Sequence, residues 1–341
     1  MIDVKKEGVL LESTSNEFEK NGVLNPSIVQ KGDDLHLFYR AVQEGNRSSI
    51  GYAKLSGPLN VIERYDHPIL VPEYEYESQG MEDPRVVWFE EEQLYYLFYA
   101  AYDGKNARGA YAVSKDLKQF EKKGLITPSI PYERASELLG HNVLDRAYYE
   151  FAEYMTEYRG DGTVLLWEKD HFLLPKKING KYAMIHRILP DIQVMYFDSF
   201  DDLGNYHFWE HYLAHLSDYV VLKRRFPHES RNVGGGAPLI ELSEGYLMIY
   251  HAVENTTLGK VYHAGAALLH KDDPTHVIGQ LDRPLFSPTE SWEKKGEVGN
   301  VVFPTGTARF GDRIYVYYGA ADSRIGVASF RYHDLVEELM A

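Results

Sequence analysis

The sequence predicts an all-β chain folded as one five-bladed β-propeller domain over residues 1–341, with a helical insertion at about residues 129–167 between blades 2 and 3. Three observations predict it. One phrase recurs five times, each copy is followed by a second strand-like run, and tyrosine and phenylalanine are abundant at 27 and 15 residues, as suits half-buried pleated surfaces.

The recurring phrase is a proline after a short polar entry, a turn, an apolar-aromatic strand, and a polar stretch ending in an acid. Its copies read NPSIVQKGDDLHLFYRAVQE from Asn25, DPRVVWFEEEQLYYLFYAAYD from Asp83, LPKKINGKYAMIHRILPD from Leu174, APLIELSEGYLMIYHAVE from Ala237 and FPTGTARFGDRIYVYYGAAD from Phe303. The prolines are Pro26, Pro84, Pro175, Pro238 and Pro304, with spacings of 58, 91, 63 and 66 residues. The second runs are SSIGYAKLS, RGAYAVSKD, QVMYFDS, AGAALLH and SRIGVASFRYHD, set off by turn-rich segments. A unit of about 60 residues accommodates four short strands. Alone it cannot bury both faces, whereas radial stacking against neighbours can. A β-sandwich is the rival fold, and it gives no reason for the repetition.

The long second interval holds the insertion, approximately Ser129 to Trp167. There Leu139, Val143, Leu144, Ala147, Tyr148, Phe151, Ala152 and Met155 recur at helical steps and make one apolar face. That face suits packing on the outside of a blade or on a partner subunit, and a lid is the sharper alternative. A second irregular stretch, Phe200 to Ser230, also predicts a helix.

With 51 acidic against 36 basic residues the formal charge is −15, which disfavours nucleic acid and anionic membrane as partners. The amino-terminal residues lack the apolar core of a signal peptide, and no apolar run of about 18 residues could span a bilayer. These features predict a cytoplasmic protein. The absence of cysteine removes disulfides, thiolate metal sites and a cysteine nucleophile. His207, His211 and His215 lie at four-residue steps without a supporting acid or cysteine signal, so they read as a solvated or interfacial helix face and no metal or cofactor is expected.

In a propeller, equivalent positions on the inner strands converge. The five copies place Arg40, Ala100, Arg187, His251 and Gly319 after the apolar strand, followed by Glu44, Asp103, Asp191, Glu254 and Asp322. Carboxylates, arginines and a histidine around one pocket suit a neutral polyhydroxyl ligand. Cleaving a glycosidic bond calls for two carboxyl groups, one to protonate the leaving oxygen and one to activate water or attack carbon. Each acid taken singly reads as well as a turn cap or an arginine's partner. Asp170 stands at the end of the insertion, before the third strand run, where it is either axial or a turn cap.

The phrases GMEDPRV, KD with LLPKKINGKYAMIHR, VGGGAPLI with GYLMIYHAV, and VYYGAAD resemble glycoside hydrolase family 130, a family of five-bladed propellers that act on β-mannosides as inverting phosphorylases or hydrolases. The resemblance runs through four of the five repeats. It implies that Asp170 is the general acid, that Asp83 and Arg85 belong to the substrate pocket, and that Asp322 is the sugar-binding aspartate. Asn25 and Arg40 fall where the first blade meets the mannose, and Arg187 and His251 match phosphate ligands of the phosphorylases. One departure stands out: Asn232 occupies the place where the phosphorylases carry a lysine before the glycine-rich run. A doubly charged phosphate needs several charge-assisted donors, so the loss matters unless Arg231 replaces it. The insertion is also longer than the family pattern, which bears on the size of substrate admitted.

The leading expectation is therefore an inverting β-mannosidase with Glu229 or Glu254 as the base, its two carboxyls roughly 6.5–9.5 Å apart. The alternative is a β-mannoside phosphorylase with inorganic phosphate as co-substrate, held by Arg187, Arg231 and His251. A non-catalytic sugar-binding propeller is a third reading. A furanosidase-like propeller enzyme is a fourth, lacking a match to that group's spaced acids. The partner in each case is a small oligosaccharide, and the composition is compatible with a homo-oligomer.

Overall fold

Period-two alternation of apolar side chains drives most of the chain into strands. In the computed structural model, which describes residues 2–157 and 163–341, Asp34–Val42 forms one strand. Its Leu35, Leu37, Tyr39 and Ala41 enter one core with Tyr317 and Val327, while Phe38 enters another with Leu97 and Tyr99. Successive residues thus serve two different cores.

Most described residues that are regular lie in such strands, grouped as five antiparallel meanders. The first runs through Gly22–Lys31, Asp34–Val42, Ser48–Ser56 and Asn60–Arg64, and the second through Gly80–Phe89, Leu94–Tyr102, Ala107–Ser114 and Glu121–Leu125. A single parallel bridge from Ser48 to Gly80 joins these two into one sheet. The third comprises Lys169–Leu173, Tyr182–Arg187, Ile192–Phe197 and Val220–Leu222. The fourth comprises Asn232–Gly235, Tyr246–Thr256, Gly259–Leu269 and Val277–Gln280, with Ile240–Glu241 beside its second strand. In the fifth, Val302–Phe310, Arg313–Ala320 and Arg324–Arg331 are completed by Lys5–Leu11 from the start of the chain. The apolar cores lie between successive meanders, and one of them joins the fifth to the first.

The entry strands of the first three meanders share a bulge. Pairing slips between Leu24 and Ser27, between Glu82 and Arg85, and between Lys169 and Phe172. Asn25, Asp83 and Asp170 sit at these slips in the left-handed region, with φ of 50°, 53° and 63°. Asn and Asp tolerate that conformation better than other side chains do, and Pro26 and Pro84 then lack the N–H that the slip leaves unpaired. The repeat is thus in part misaligned when read on its prolines: Pro175 and Pro238 lie past their entry strands, and Asp170 is the true counterpart of Asp83. A bulge turns its side chain off the sheet face.

A second device occurs in all five meanders. Glu19, Glu77, Glu229 and Glu293 are fully buried before their entry strands. Each accepts a hydrogen bond from a tyrosine on the second strand: Tyr39 at 2.6 Å, Tyr99 at 2.8 Å, Tyr250 at 2.5 Å and Tyr318 at 2.6 Å. Three of these carboxylates also receive backbone N–H groups of their own short helical turns. The third meander uses Glu168 with His186 at 2.5 Å, supported by Thr127 and His171.

The insertion departs from the expected single helical face. It forms α1 (Tyr132–Leu139) and α2 (Arg146–Glu157), because Asn142 Nδ2 closes the carbonyl end of α1 and Asp145 Oδ1 accepts from Ala147 N to start α2. Leu139, Ala147, Tyr148, Ala152 and Met155 are buried, but Val143 in the break is 96% exposed. Residues 158–162 of the expected insertion lie outside the described residues. The helical stretch after Phe200 resolves into α3 (Phe200–Leu203) and α4 (Tyr206–Ala214). α1 packs on α4 through Arg134 and Glu210 at 2.7 Å. No described helix is long and apolar enough to cross a membrane.

Tyr318→Phe leaves Glu293 buried without its phenolic donor. It is expected to destabilise the chain by about 1–3 kcal/mol, read from the urea unfolding midpoint; an unchanged midpoint would show the tyrosine contact to be idle.

Candidate active site

The bulges, and the residues that follow the clasped tyrosines and histidine, deliver one connected polar network. Asn25 Nδ2 donates to Asp83 Oδ1 at 2.7 Å. Arg40, next to Tyr39, meets Glu82 at 2.8 Å and Asp83 at 3.9 Å. Lys169 meets the other side of Glu82 at 2.8 Å. Arg85 donates to the carbonyls of Asp83, Gly235 and Gly236 and reaches Asp170 Oδ1 at 3.4 Å. Arg187 Nη1 lies 3.1 Å from Asp170 Oδ2 and 2.9 Å from His251 Nε2. Phe303 packs on the His251 ring at 4.3 Å between centroids.

Two glycines make this approach feasible. A Cβ on Gly234 would collide with the His251 ring and stand 2.7 Å from Asp170 Oδ2, and one on Gly319 would collide with the Asn25 side chain. The glycine-rich run and the small residue at 319 are therefore space for site residues.

Charge balance sets the protonation states. Burial favours a neutral Asp170, but the cations Arg187, Arg85 and Lys169 outweigh it and hold the carboxyl below its ordinary value. Glu82 is likewise held at about 2, with burial overcome by Arg40 and Lys169. Burial, reinforced by Arg187 and Arg85 against Asp170, pushes His251 down to about 3, so its imidazole is neutral. Asp322 goes the other way: burial first, then Asp83 and Glu82 against Arg40, push it up to about 6.

Of the sequence-derived residues, Asn25, Arg40, Asp83, Arg85, Asp170, Arg187 and His251 lie in this network by direct contact, and Asp322 adjoins it through its charge coupling to Arg40 and Asp83. Arg231 flanks it: burial first, and then the nearby Arg187, disfavour its charge against Tyr262.

Glu229 and Glu254 do not join the network. On the strand pair Tyr246–Thr256 and Gly259–Leu269, His251 lies opposite Ala264 and Glu254 opposite Val261, so period-two alternation puts Glu254 on the sheet face away from His251. Glu254 instead contacts His263 at 3.1 Å. Tyr250 shares that far face, and Glu229 is its buried partner, with its remaining capacity taken by Arg225 N, Phe226 N and Gln280. Three other acids expected to converge also go elsewhere: Glu44 pairs with Lys20 at the surface, Asp103 caps its own turn, and Asp191 accepts from Arg224 N. A strand position fixes the face, and these acids fall on turns or on the wrong one.

Glu82 and Lys169 escaped the sequence reading. Their signal was the charge directly before each bulge aspartate, in Glu82-Asp83 and Lys169-Asp170. Among the described residues no group of three or more His, Asp or Glu side chains could hold a metal ion.

The sequence profile of a family described as Glyco_hydro_130, beta-1,4-mannooligosaccharide phosphorylase, matches residues 9–340. A 1,2-β-oligomannan phosphorylase of Thermoanaerobacter sp. (strain X514) is 33% identical over 350 residues, covering 98% of this chain and 99% of its own. A β-1,2-mannobiose phosphorylase of the same organism is 34% identical over 339 residues, covering 94% of this chain and 93% of its own. Among solved structures, the β-1,2-mannobiose phosphorylase from Listeria innocua superimposes with a TM-score of 0.72 at 22% identity, across 99% of both chains, a likeness of fold.

The raised Asp322 carboxyl has a thermodynamic consequence. Because it binds its proton more tightly folded, near 6, than at its ordinary 3.8, stability falls as pH rises through that window. Asp322→Asn removes the penalty, and its melting temperature should exceed that of the parent by more at pH 8 than at pH 5. Equal differences at both values would mean that Asp322 titrates normally.

Proposed function

The chain belongs to glycoside hydrolase family 130 and is an enzyme acting on glycosides, and from that premise we propose that it is an inverting phosphorylase of β-1,2-linked mannooligosaccharides, built as a single five-bladed propeller domain. The propeller reading is supported by entry strands that lie against one another from the first meander through the fourth, with that of the fifth against that of the first and against the second and third strands of the fourth. The observation that carries the chemistry is the contiguity of Asp170, Arg187 and His251, with Glu229 and Glu254 on the far face. The hydrolytic lead drawn from sequence loses its base by that geometry. Two relatives matched over nearly the whole of both chains are named phosphorylases of β-1,2-mannosides, which supports phosphate over water as nucleophile.

In this reading inorganic phosphate rests on Arg187 and His251, with Arg231 beside them. One of its oxygens attacks C1 of the terminal mannose, opposite the departing sugar. The C1–O glycosidic bond breaks, a proton passes from Asp170 to the leaving oxygen, and mannose 1-phosphate forms with inverted configuration. Asn25, Arg40, Asp83 and Asp322 hold the mannose hydroxyls. Asp170 is ionised in the free protein, where cations surround it. A phosphate dianion arriving on Arg187 offsets those cations and adds its own charge, which raises the proton affinity of Asp170. Asp170 therefore takes up a proton from solvent as the nucleophile binds, and it is this proton that the leaving oxygen receives. The product, a sugar phosphate, enters metabolism directly in the cytoplasm, which is where this reading places the enzyme.

Incubation with β-1,2-mannobiose should give mannose 1-phosphate only when inorganic phosphate is supplied, and β-1,4-mannobiose should react more slowly; free mannose as the sole product, indifferent to phosphate, would restore the hydrolytic reading. Asp170→Asn is expected to lower kcat by about two orders of magnitude or more. Glu229→Gln should lower the melting temperature while keeping kcat within about threefold, as loss of a structural contact would. A stable Glu229→Gln enzyme without turnover would put Glu229 back in the chemistry.

A further inference from the structure

Beside Arg187 a groove of about 400 Å³ opens between α2 and the hairpin of Tyr246–Thr256 and Gly259–Leu269, lined by Phe151, Tyr154, Arg224, Arg231 and Lys260 among others. Its charges are unevenly spoken for. Arg224 is held by Asp145 at 2.7 Å and by the Ser230 carbonyl. Glu150, the acid on the lining, is held by Arg146 at 2.8 Å. Among the described residues, neither Arg231 nor Lys260 has a carboxylate within ion-pair distance.

The sheet register joins this groove to the site. Lys260 lies opposite Asn255, Tyr262 opposite Val253 and Ala264 opposite His251, so Lys260, Tyr262 and His251 share one sheet face. Arg231 stands between the ends of this stripe. Burial disfavours charge on Arg231, with Tyr262 opposing and Arg187 adding to that effect, and the charge of Lys260, which lines the same groove, is disfavoured by partial desolvation and then by Arg231. Arg187, Arg231 and Lys260 thus form a row of cations leading outward from Asp170.

We propose that Arg231 and Lys260 form a loading site for inorganic phosphate, which holds the anion in the groove before it passes to Arg187 and His251. This rests on the phosphorolytic reading and deepens it. A chain with a formal charge of −15 repels a dianion at long range, so capture needs a local path of opposite sign. A sugar subsite fits the groove less well. The ring face of Phe151 that could stack on a pyranose is covered by the Arg231 guanidinium, 5.1 Å from its centroid.

The test is steady-state kinetics of Lys260→Ala and Lys260→Glu with β-1,2-mannobiose and inorganic phosphate, beside Lys123→Ala on the outermost strand of the second meander as a control of equal charge change. Lys260 is exposed, so the variants should melt with the parent. Lys260→Ala should raise KM for phosphate by about tenfold at low salt, with kcat and KM for the mannoside unchanged. Lys260→Glu should raise it further, Lys123→Ala should leave it alone, and added salt should shrink the differences. A rise in KM for the mannoside alone would make the groove a sugar subsite and overturn the proposal, as would Lys260 variants that match the parent. A parent enzyme indifferent to phosphate would instead overturn the phosphorolytic reading, and the loading site with it.

Discussion

The structure depends on a buried carboxylate clasp repeated in each meander. An ionised glutamate in an apolar interior is costly unless donors surround it. Here each one gathers a phenol or imidazole from the second strand, and Glu19, Glu77 and Glu293 add a cation in Arg64, Lys122 and Lys6. Glu229 adds the neutral Gln280 instead. The clasp ties the turn before the entry strand to the strand after it, so two segments that meet only through sheet pairing are also fixed from the side.

That fixing reaches the site by one residue. The clasped side chains Tyr39, His186, Tyr250 and Tyr318 are followed by Arg40, Arg187, His251 and Gly319. Holding one residue to a buried anion sets the direction of the next, since successive side chains on a strand point to opposite faces. In the third meander the coupling is tightest: Glu168, held at about 2 once His171 and His186 outweigh its burial, lies two residues before Asp170, and its partner His186 lies one before Arg187. Asp170 and its principal cation are thus set by the same clasp.

Much of this was legible in the sequence. The repeat gave the number of meanders and their order, and period-two patterning gave the strands. The residues after the apolar runs gave Arg40, Arg187, His251 and Asp322, and the family resemblance of GMEDPRV gave Asp83 and Arg85. Sheet face was harder to read: Glu254 falls on the face of its strand away from His251, and Glu229 sits not on a strand but on the helical turn Pro227–Glu229, where it meets Tyr250. The repeat was also read on its prolines, when a better guide was an aromatic residue or histidine followed by glutamate: Phe18-Glu19, Tyr76-Glu77, Trp167-Glu168, His228-Glu229 and Trp292-Glu293. Read on that phrase, Glu229 is the fourth copy of a structural residue. The break at Asn142 was hidden because local side-chain capping interrupted a helical period that the apolar residues alone continued.

The bulge aspartates show why one phrase can carry both stability and chemistry. A non-glycine residue in the left-handed region costs of order 1–3 kcal/mol, less for Asn and Asp, and three entry strands accept it. The clasp before each bulge and the ladder after it hold the chain on both sides, so the strained residue cannot relax without breaking one or the other. Its side chain is then left pointing off the sheet, where Asn25 finds Asp83 and Arg85 finds Asp170. Strain, buried charge and site geometry therefore form one arrangement.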